Sequence, residues 1–117
     1  MSTEHQRTWT AHEETRPVFM PGFVLPREHP VAHAAAEAAG RRGGRGPATL
    51  RPWTFATDGG WSAGTFGIPT IGFAPGEERF AHTSTERLDL DEAAWALQRL
   101  PGILLAMQGA LAGEGAG

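Results

Sequence analysis

One histidine in this 117-residue sequence lies where it could do metal chemistry. His82 follows the apolar pair Phe80-Ala81 and opens a polar loop, and Glu86 comes four residues later. Neutral imidazole is a common zinc ligand. A lone histidine is nevertheless more often a hydrogen-bonded structural residue than a ligand, so spacing alone leaves both interpretations open.

A glycine-rich turn, Thr57-Asp58-Gly59-Gly60, is the second candidate. Asp58 could act as a catalytic carboxylate, but an aspartate in this position also forms an Asx turn or caps a helix, and we favour that interpretation. Gly59 and Gly60 would let a substrate approach the backbone closely, and they equally permit the turn itself. Residues 57–60 are therefore candidate substrate-binding residues.

Two other groups are weaker candidates. His29 and His33 are four residues apart, which can place two imidazoles on one helix face. The glutamate of a zinc-protease helix is missing and His29 lies at the helix start, so metal binding there is disfavoured. The basic segment 41–47 could bind phosphate, but a solvated helix-to-strand connection is the preferred interpretation.

Two short apolar segments surround these candidates. Residues 53–56 and 68–73 lack alternation, which predicts strands buried on both faces of a parallel or mixed sheet. Loops that leave the carboxyl ends of such strands form the crevice where ligands bind. We therefore expect an α/β fold with short central strands flanked by helices, in which Asp58 and His82 face one site.

The first flanking helix is predicted from local signals. His29-Pro30 opens it with proline in the first turn, Val31–Ala39 is alanine-rich, and Gly40 provides the stop. About ten residues make a marginal helix in isolation. This helix is therefore expected to dock on the sheet.

The second helix begins where Asp89 and Glu92 have the spacing of a capping box. Pro101-Gly102 predicts a kink, or two shorter helices. The apolar residues recur at spacings of three and four, which predicts one stripe packed against the sheet. The stripe consists of Leu90, Ala94, Leu97, Leu100, Leu104, Met107 and Leu111.

Composition excludes several classes of function. All ten basic residues are arginine, so Schiff-base and P-loop lysine chemistry are impossible, and the absence of cysteine removes disulfides and thiolate sites. A net charge of -3 gives no reason to expect nucleic acid or an anionic membrane as partner. No apolar run reaches the roughly 18 residues of a membrane span, and a soluble, cytoplasmic chain is expected.

The run FATDGGWSAGTFGIPTIGFAPGEERFAHTSTERLDLDEAAWAL resembles the C-terminal part of the catalytic domain of zinc-dependent amidohydrolases and peptidases. That family includes acetylornithine deacetylase, succinyl-diaminopimelate desuccinylase and aminoacylase, and the sequence also resembles its selenium-metabolism hydrolase-like branch. GIPTIGFAPGEERFAHTSTER is the specific block. EHPVAHAAAEAA is similar to the helix that re-enters the catalytic domain after the inserted lid. The resemblance covers roughly residues 17–111.

The resemblance implies a two-zinc site that hydrolyses an amide bond in a small N-acyl or peptide-like substrate. His82 is carried over as the last zinc ligand. The family's other ligands and its general-base glutamate lie upstream of the matching stretch, and none is in this chain. Many members have an arginine two positions after the turn aspartate, where this sequence has Gly60. Because zinc sites take at least three protein ligands, the chain alone is expected to be inactive.

The resemblance also implies a division of the chain. Residues 1–16 form a loose leader, 17–28 the end of a lid-domain-like segment, 29–112 the C-terminal part of the catalytic domain without the N-terminal half of its sheet, and 113–117 a tail. The chain is then a fragment of a metal-dependent deacylase or peptidase. The alternative is a non-catalytic interaction module, or half of a split enzyme, that docks through exposed apolar surface on a partner chain or as a homodimer.

Overall fold

Two helices and one hairpin form the main regular structure of the chain. The computed structural model describes residues 2–7, 9–11, 13–18, 21–53 and 55–115. Its elements, in chain order, are strands β1 (Ser2–Arg7) and β2 (Glu13–Val18) and helices α1 (Pro30–Ala39) and α2 (Leu90–Gly115). A π-helical turn at Gly60–Thr65 and a 3₁₀ turn at Glu78–Phe80 lie between the helices.

The hairpin lies where the sequence predicts a loose leader. β1 and β2 pair antiparallel, from Ser2 opposite Val18 to Arg7 opposite Glu13. His5 and Arg7 both approach the Glu13 carboxylate, at 4.0 and 3.9 Å. These exposed pairs add little stability, so the backbone ladder is the main support. The division of the chain into domains stays a prediction.

The predicted α/β fold is wrong. Residues 68–73 are not a strand, nor is the described part of 53–56, and no central sheet is present among the described residues. A strand needs a neighbour for its backbone groups. Pro69 has no N–H to offer, and the Thr70 hydroxyl donates to the Ile68 carbonyl at 2.8 Å. The segment instead runs over the helix pair, where Ile71 and Phe73 pack against the core.

Helix α1 begins and ends as predicted, but the prediction that it docks on a sheet is wrong, because it packs on α2. The His29 side chain caps the helix by accepting a hydrogen bond at Nδ1 from the Val31 amide, at 3.1 Å. Gly40, at φ 66°, ends it and donates its N–H to the Ala36 carbonyl. One wide face of the helix is buried, and its residues are Val31, Ala32, Ala35, Ala36 and Ala39.

The core is the contact between α1 and α2, and it is small. Asp89 begins α2 as predicted, because its Oδ1 accepts from the Asp91 and Glu92 amides at 2.8 and 3.1 Å. Ile103 then packs between Ala35 and Ala39, and Met107 closes one side. The short alanine side chains of α1 cover only a narrow strip of α2.

The predicted core stripe of α2 is therefore wrong apart from Met107, which packs against the core. Its five leucines are exposed, at 79, 72, 40, 58 and 42% for Leu90, Leu97, Leu100, Leu104 and Leu111. With no sheet in place, α2 packs through the neighbouring positions Ala96 and Ile103. The helix is also continuous through Pro101, so the two-helix alternative does not occur. Proline deprives the Leu97 carbonyl of its usual donor, and the exposed position of Leu97 leaves that oxygen within reach of solvent.

Candidate functional site

His82 stands at an exposed bend with an unusual backbone. Its φ is 61°, in the left-handed region that few residues other than glycine adopt, although histidine is among the more tolerant. The His82 amide donates to Oε2 of Glu86 at 3.3 Å. The imidazole meets the Phe55 ring edge-on, with centroids 5.2 Å apart. Glu86 thus holds the His82 backbone and Phe55 contacts its ring, while the residue remains exposed.

Local hydrogen bonds hold the loop around His82. The Thr83 hydroxyl donates to the Phe80 carbonyl at 2.6 Å, and the Thr83 amide donates to the same oxygen at 3.2 Å. The Glu86 amide donates to the Thr83 carbonyl at 3.2 Å. Glu86, which the sequence places four residues after the histidine, therefore acts through the His82 backbone.

The 57–60 turn is closed by Thr57 and not by Asp58. Thr57 Oγ1 accepts from the Gly59 amide at 3.2 Å, which is the bond of a threonine turn. Asp58 contributes its carbonyl, which accepts from the Trp61 and Ser62 amides that begin the π-helical turn. Asp58 itself is exposed. A side chain thus closes the turn, as the Asx interpretation predicts, but the side chain is that of Thr57 and not that of Asp58.

Gly59 and Gly60 are buried, and protein already covers them. A Cβ on Gly59 would lie 2.7 Å from the Phe23 ring, and one on Gly60 would collide with the Pro21 carbonyl. The arginine that many family members carry at the Gly60 position therefore cannot fit here. The accessible part of the turn is Thr57 and Asp58.

The described residues do not assemble a zinc site. No group of three or more His, Asp, Glu or Cys side chains is close enough to hold a metal within the described part of the chain, whereas zinc takes at least three protein ligands. His29 uses Nδ1 as a helix cap. His33 lies 4.0 Å from Glu37 on the exposed side of α1. Phe55, whose ring meets that of His82, lies three residues before Asp58 in the sequence.

An arginine pair beside His82 was missed by the sequence analysis. The guanidinium groups of Arg79 and Arg87 lie 4.5 and 4.3 Å from the centre of the Phe80 ring. The sequence signal for this pair is Arg79 directly before Phe80 and Arg87 seven residues after it. A depression of about 250 Å³ lies alongside, and its lining includes Phe80, Arg87 and Asp89.

The pKa of Asp89 lies below its usual range. The Glu92 amide, which donates to the carboxylate, is the largest cause. Desolvation comes next and opposes it, and the Asp91 amide and the Arg42 guanidinium, 4.0 Å away, lower the pKa further. The ionised carboxylate is therefore the form that caps α2.

Comparison with known proteins gives partial matches. The chain is 32% identical over 80 residues to "Uncharacterized protein YgeY" of Escherichia coli K12, which covers 68% of this chain and 20% of that protein. It is 29% identical over 92 residues to "Putative [LysW]-lysine/[LysW]-ornithine hydrolase" of Thermococcus kodakarensis, which covers 79% of this chain and 26% of that protein. No family model and no solved structure matches.

The chain thus spans about a fifth to a quarter of the length of these curated relatives. A stretch of 92 residues within 117 can start no later than residue 26 and end no earlier than residue 92. Both the 57–60 turn and His82 consequently fall within the match to the Thermococcus protein. The relationship shown is a distant and partial one, to a protein named as a putative hydrolase. No helix of the described part is long and apolar enough to cross a bilayer.

Proposed function

We propose that this chain is the C-terminal part of a metal-dependent amide hydrolase of the deacylase or peptidase type. The carrying observation is the position of His82: an exposed imidazole on a locally fixed loop, within the stretch that matches a hydrolase. The substrate class is a small N-acyl or peptide-like compound. Activity requires residues from outside the described part of the chain.

In this proposal His82 supplies one zinc ligand and the other ligands come from a further polypeptide segment. The Phe55 contact limits the orientations of the ring, and the Glu86 bond holds the His82 backbone, which together lower the entropy lost on binding. The Thr57-Asp58 side of the turn is its substrate-facing part, because Gly59 and Gly60 are covered by residues 21–23.

The first test is a calorimetric zinc titration of the purified chain and its His82→Asn variant. Asparagine suits the left-handed backbone of this position and is a poor zinc ligand, so the change separates metal binding from folding. His33→Asn is the matched control on an exposed histidine. We expect weak binding by the unmodified chain and no hydrolysis of N-acyl amino acids. Tight stoichiometric zinc with amidase activity would show that the chain needs no further segment.

A second test supplies the missing residues covalently. The segment of the Thermococcus relative that this chain matches, which includes His33 and His82, is replaced by the corresponding residues of this chain, and bound zinc is measured by elemental analysis. We expect the chimera to bind zinc, His82→Asn to lose at least one ion per molecule, and His33→Asn to lose none. Full zinc content in the His82→Asn chimera would refute the assignment of this ligand.

The exposed leucines of α2 favour a second candidate, a non-catalytic module that docks on another polypeptide. Binding of an apolar dye to the pure chain at low concentration is the expected sign of such a surface. A monodisperse monomer that unfolds cooperatively and binds no dye would count against it.

A further inference from the structure

The depression beside Phe80 combines an arginine and a glutamate that are both available to a ligand. It lies between the 3₁₀ turn and the start of α2, and its volume is about 250 Å³. Arg87 and Glu92 both line it. Within the described part of the chain, no carboxylate pairs with the Arg87 guanidinium and no donor or cation pairs with the Glu92 side chain. The depression therefore holds two uncompensated charges of opposite sign.

The other two carboxylates of the lining are already compensated. Glu77 Oε2 accepts a hydrogen bond from Arg79 Nε at 2.6 Å. Asp89 Oδ1 accepts from two amides at the start of α2 and lies 4.0 Å from the Arg42 guanidinium. The acidic residues of the depression thus do not act as one cluster, and Glu92 is the carboxylate that its lining leaves for a ligand.

The Phe80 ring holds Arg87 in a position that suits a carboxylate. The guanidinium carbon of Arg87 lies over the ring, 4.3 Å from its centre. This contact restricts the side chain but uses none of the strong hydrogen-bond capacity of its N–H groups. A guanidinium can donate two parallel hydrogen bonds to one carboxylate, which adds geometric specificity to the charge attraction. Arg87 is therefore ready to receive the carboxylate of a small molecule.

We propose that this depression binds a free α-amino acid with an apolar side chain. The ligand carboxylate pairs with Arg87, and the ligand ammonium group pairs with Glu92. The apolar side chain of the ligand lies on the Phe80 ring and on Leu88, which is 50% exposed. A ligand with a carboxylate alone would leave Glu92 unpaired beside a second negative charge, whereas a zwitterion satisfies both protein groups.

The binding itself does not depend on the hydrolase assignment, but its biological meaning rests on the proposed function. Hydrolysis of an N-acyl amino acid converts an uncharged amide nitrogen into the ammonium group of a free amino acid. Arg87 directly follows Glu86, whose carboxylate accepts from the His82 amide at 3.3 Å. The depression thus lies next to the loop of the candidate zinc ligand. Under the proposed function it is a site for the released amino acid.

Titration of the whole chain with free leucine, followed through its backbone amide NMR signals, tests the proposal. We expect saturable shifts at residues 87–92 with a dissociation constant on the order of 1 mM, because the site is open and the ligand is small. N-Acetylleucine lacks the ammonium group and leucinamide lacks the carboxylate, so each should bind about fivefold more weakly or worse. Equal binding of all three compounds, or no saturable shift at tens of millimolar leucine, would overturn the proposal.

Two substitutions separate the two contacts. Arg87→Gln should abolish the preference for leucine over leucinamide, and Glu92→Gln should abolish the preference for leucine over N-acetylleucine. Both variants should keep their helical circular dichroism, because neither side chain has a polar partner to lose among the described residues. If either variant kept the preference that its side chain is proposed to create, the corresponding contact would be refuted.

Arg99→Gln is the matched control for Arg87→Gln. Arg99 also lies over an aromatic ring, 5.9 Å from the centre of Trp95, but it does not line the depression. We expect this variant to bind leucine as the unmodified chain does, and a loss equal to that of Arg87→Gln would overturn the assignment of the site. These titrations contain no zinc and follow no hydrolysis, so their failure would leave the hydrolase assignment standing.

Discussion

The Gly60 backbone lies directly against the Pro21 carbonyl oxygen, with no room between them for a side chain. Gly64 repeats the relationship one turn later, where a Cβ would lie 2.5 Å from the Gly22 carbonyl oxygen. The π-helical turn and residues 21–22 thus pack backbone against backbone. Glycine at position 60 is required by this packing, whatever the turn binds.

Gly60→Ala should destabilise the chain by about 2 kcal/mol or more, because the atom that it meets is backbone and cannot rotate away. The measurement is urea unfolding followed by tryptophan fluorescence. Gly109→Ala is the control, since a Cβ there meets nothing within 4 Å and the change to a better helix former should stabilise by about 0.5–1 kcal/mol. Equal stability of the Gly60→Ala and unmodified chains would contradict the close approach.

Ile103→Ala should cost about 2–5 kcal/mol, because Ile103 is the large residue in the small core between the helices. Leu105→Ala, two residues away and mostly exposed, should change stability by about 0.5 kcal/mol or less. Thermal unfolding of both variants gives the comparison. Similar losses at the two positions would mean that α2 packs on α1 through a different face.

Asp89→Asn should make the chain less stable near neutral pH, and the difference should shrink in acid. The lowered pKa of Asp89 means that its ionised form favours the folded state. That contribution is complete above the ordinary aspartate pKa of about 3.9 and is lost as the pH falls towards the lower folded value. Asparagine keeps the capping geometry, so the variant isolates the charge. Urea unfolding between neutral pH and pH 3 measures it, and a difference that grows in acid would contradict this assignment.

His82→Gly should be more stable than His82→Ala, by about 1 kcal/mol, because alanine at φ 61° is strained and glycine is not. In an ordinary extended loop the alanine variant would be the more stable one, because glycine loses more backbone conformational entropy on folding. Chemical unfolding of the two variants at one pH measures the difference. A more stable alanine variant would show that this residue does not hold the left-handed conformation in solution.

Local signals in the sequence were enough to predict α1 and the start of α2. Proline after His29, the stop at Gly40 and the Asp89 cap each act within a few residues. The predicted strands failed because pairing depends on distant residues, and no described segment lies beside residues 68–73 to complete a ladder. The apolar pattern of that segment was real, but a helix pair receives it instead of a sheet.

The same dependence on residues distant in the sequence explains the errors in the predicted α2 stripe and in the predicted turn. The α2 stripe was chosen for its large side chains, yet the alanines of α1 pack with Ile103, and Met107 is the member of the stripe that joins this core. The periodicity identified an apolar face of α2, but it could not show that the leucines of this face are exposed in the structure. The turn residues 57–60 were correctly identified as a tight turn, but only the structure shows that Pro21 and Phe23 cover the two glycines.

Pro69 has a further consequence for how the chain behaves in a crowded solution. An apolar extended segment with open backbone groups would normally recruit strands from other molecules and begin a fibril. Here Pro69 withholds a donor and the Thr70 hydroxyl occupies the Ile68 carbonyl, while Gly72 lowers the strand propensity. The features that prevent residues 68–73 from forming a strand within this chain also protect it from uncontrolled polymerisation.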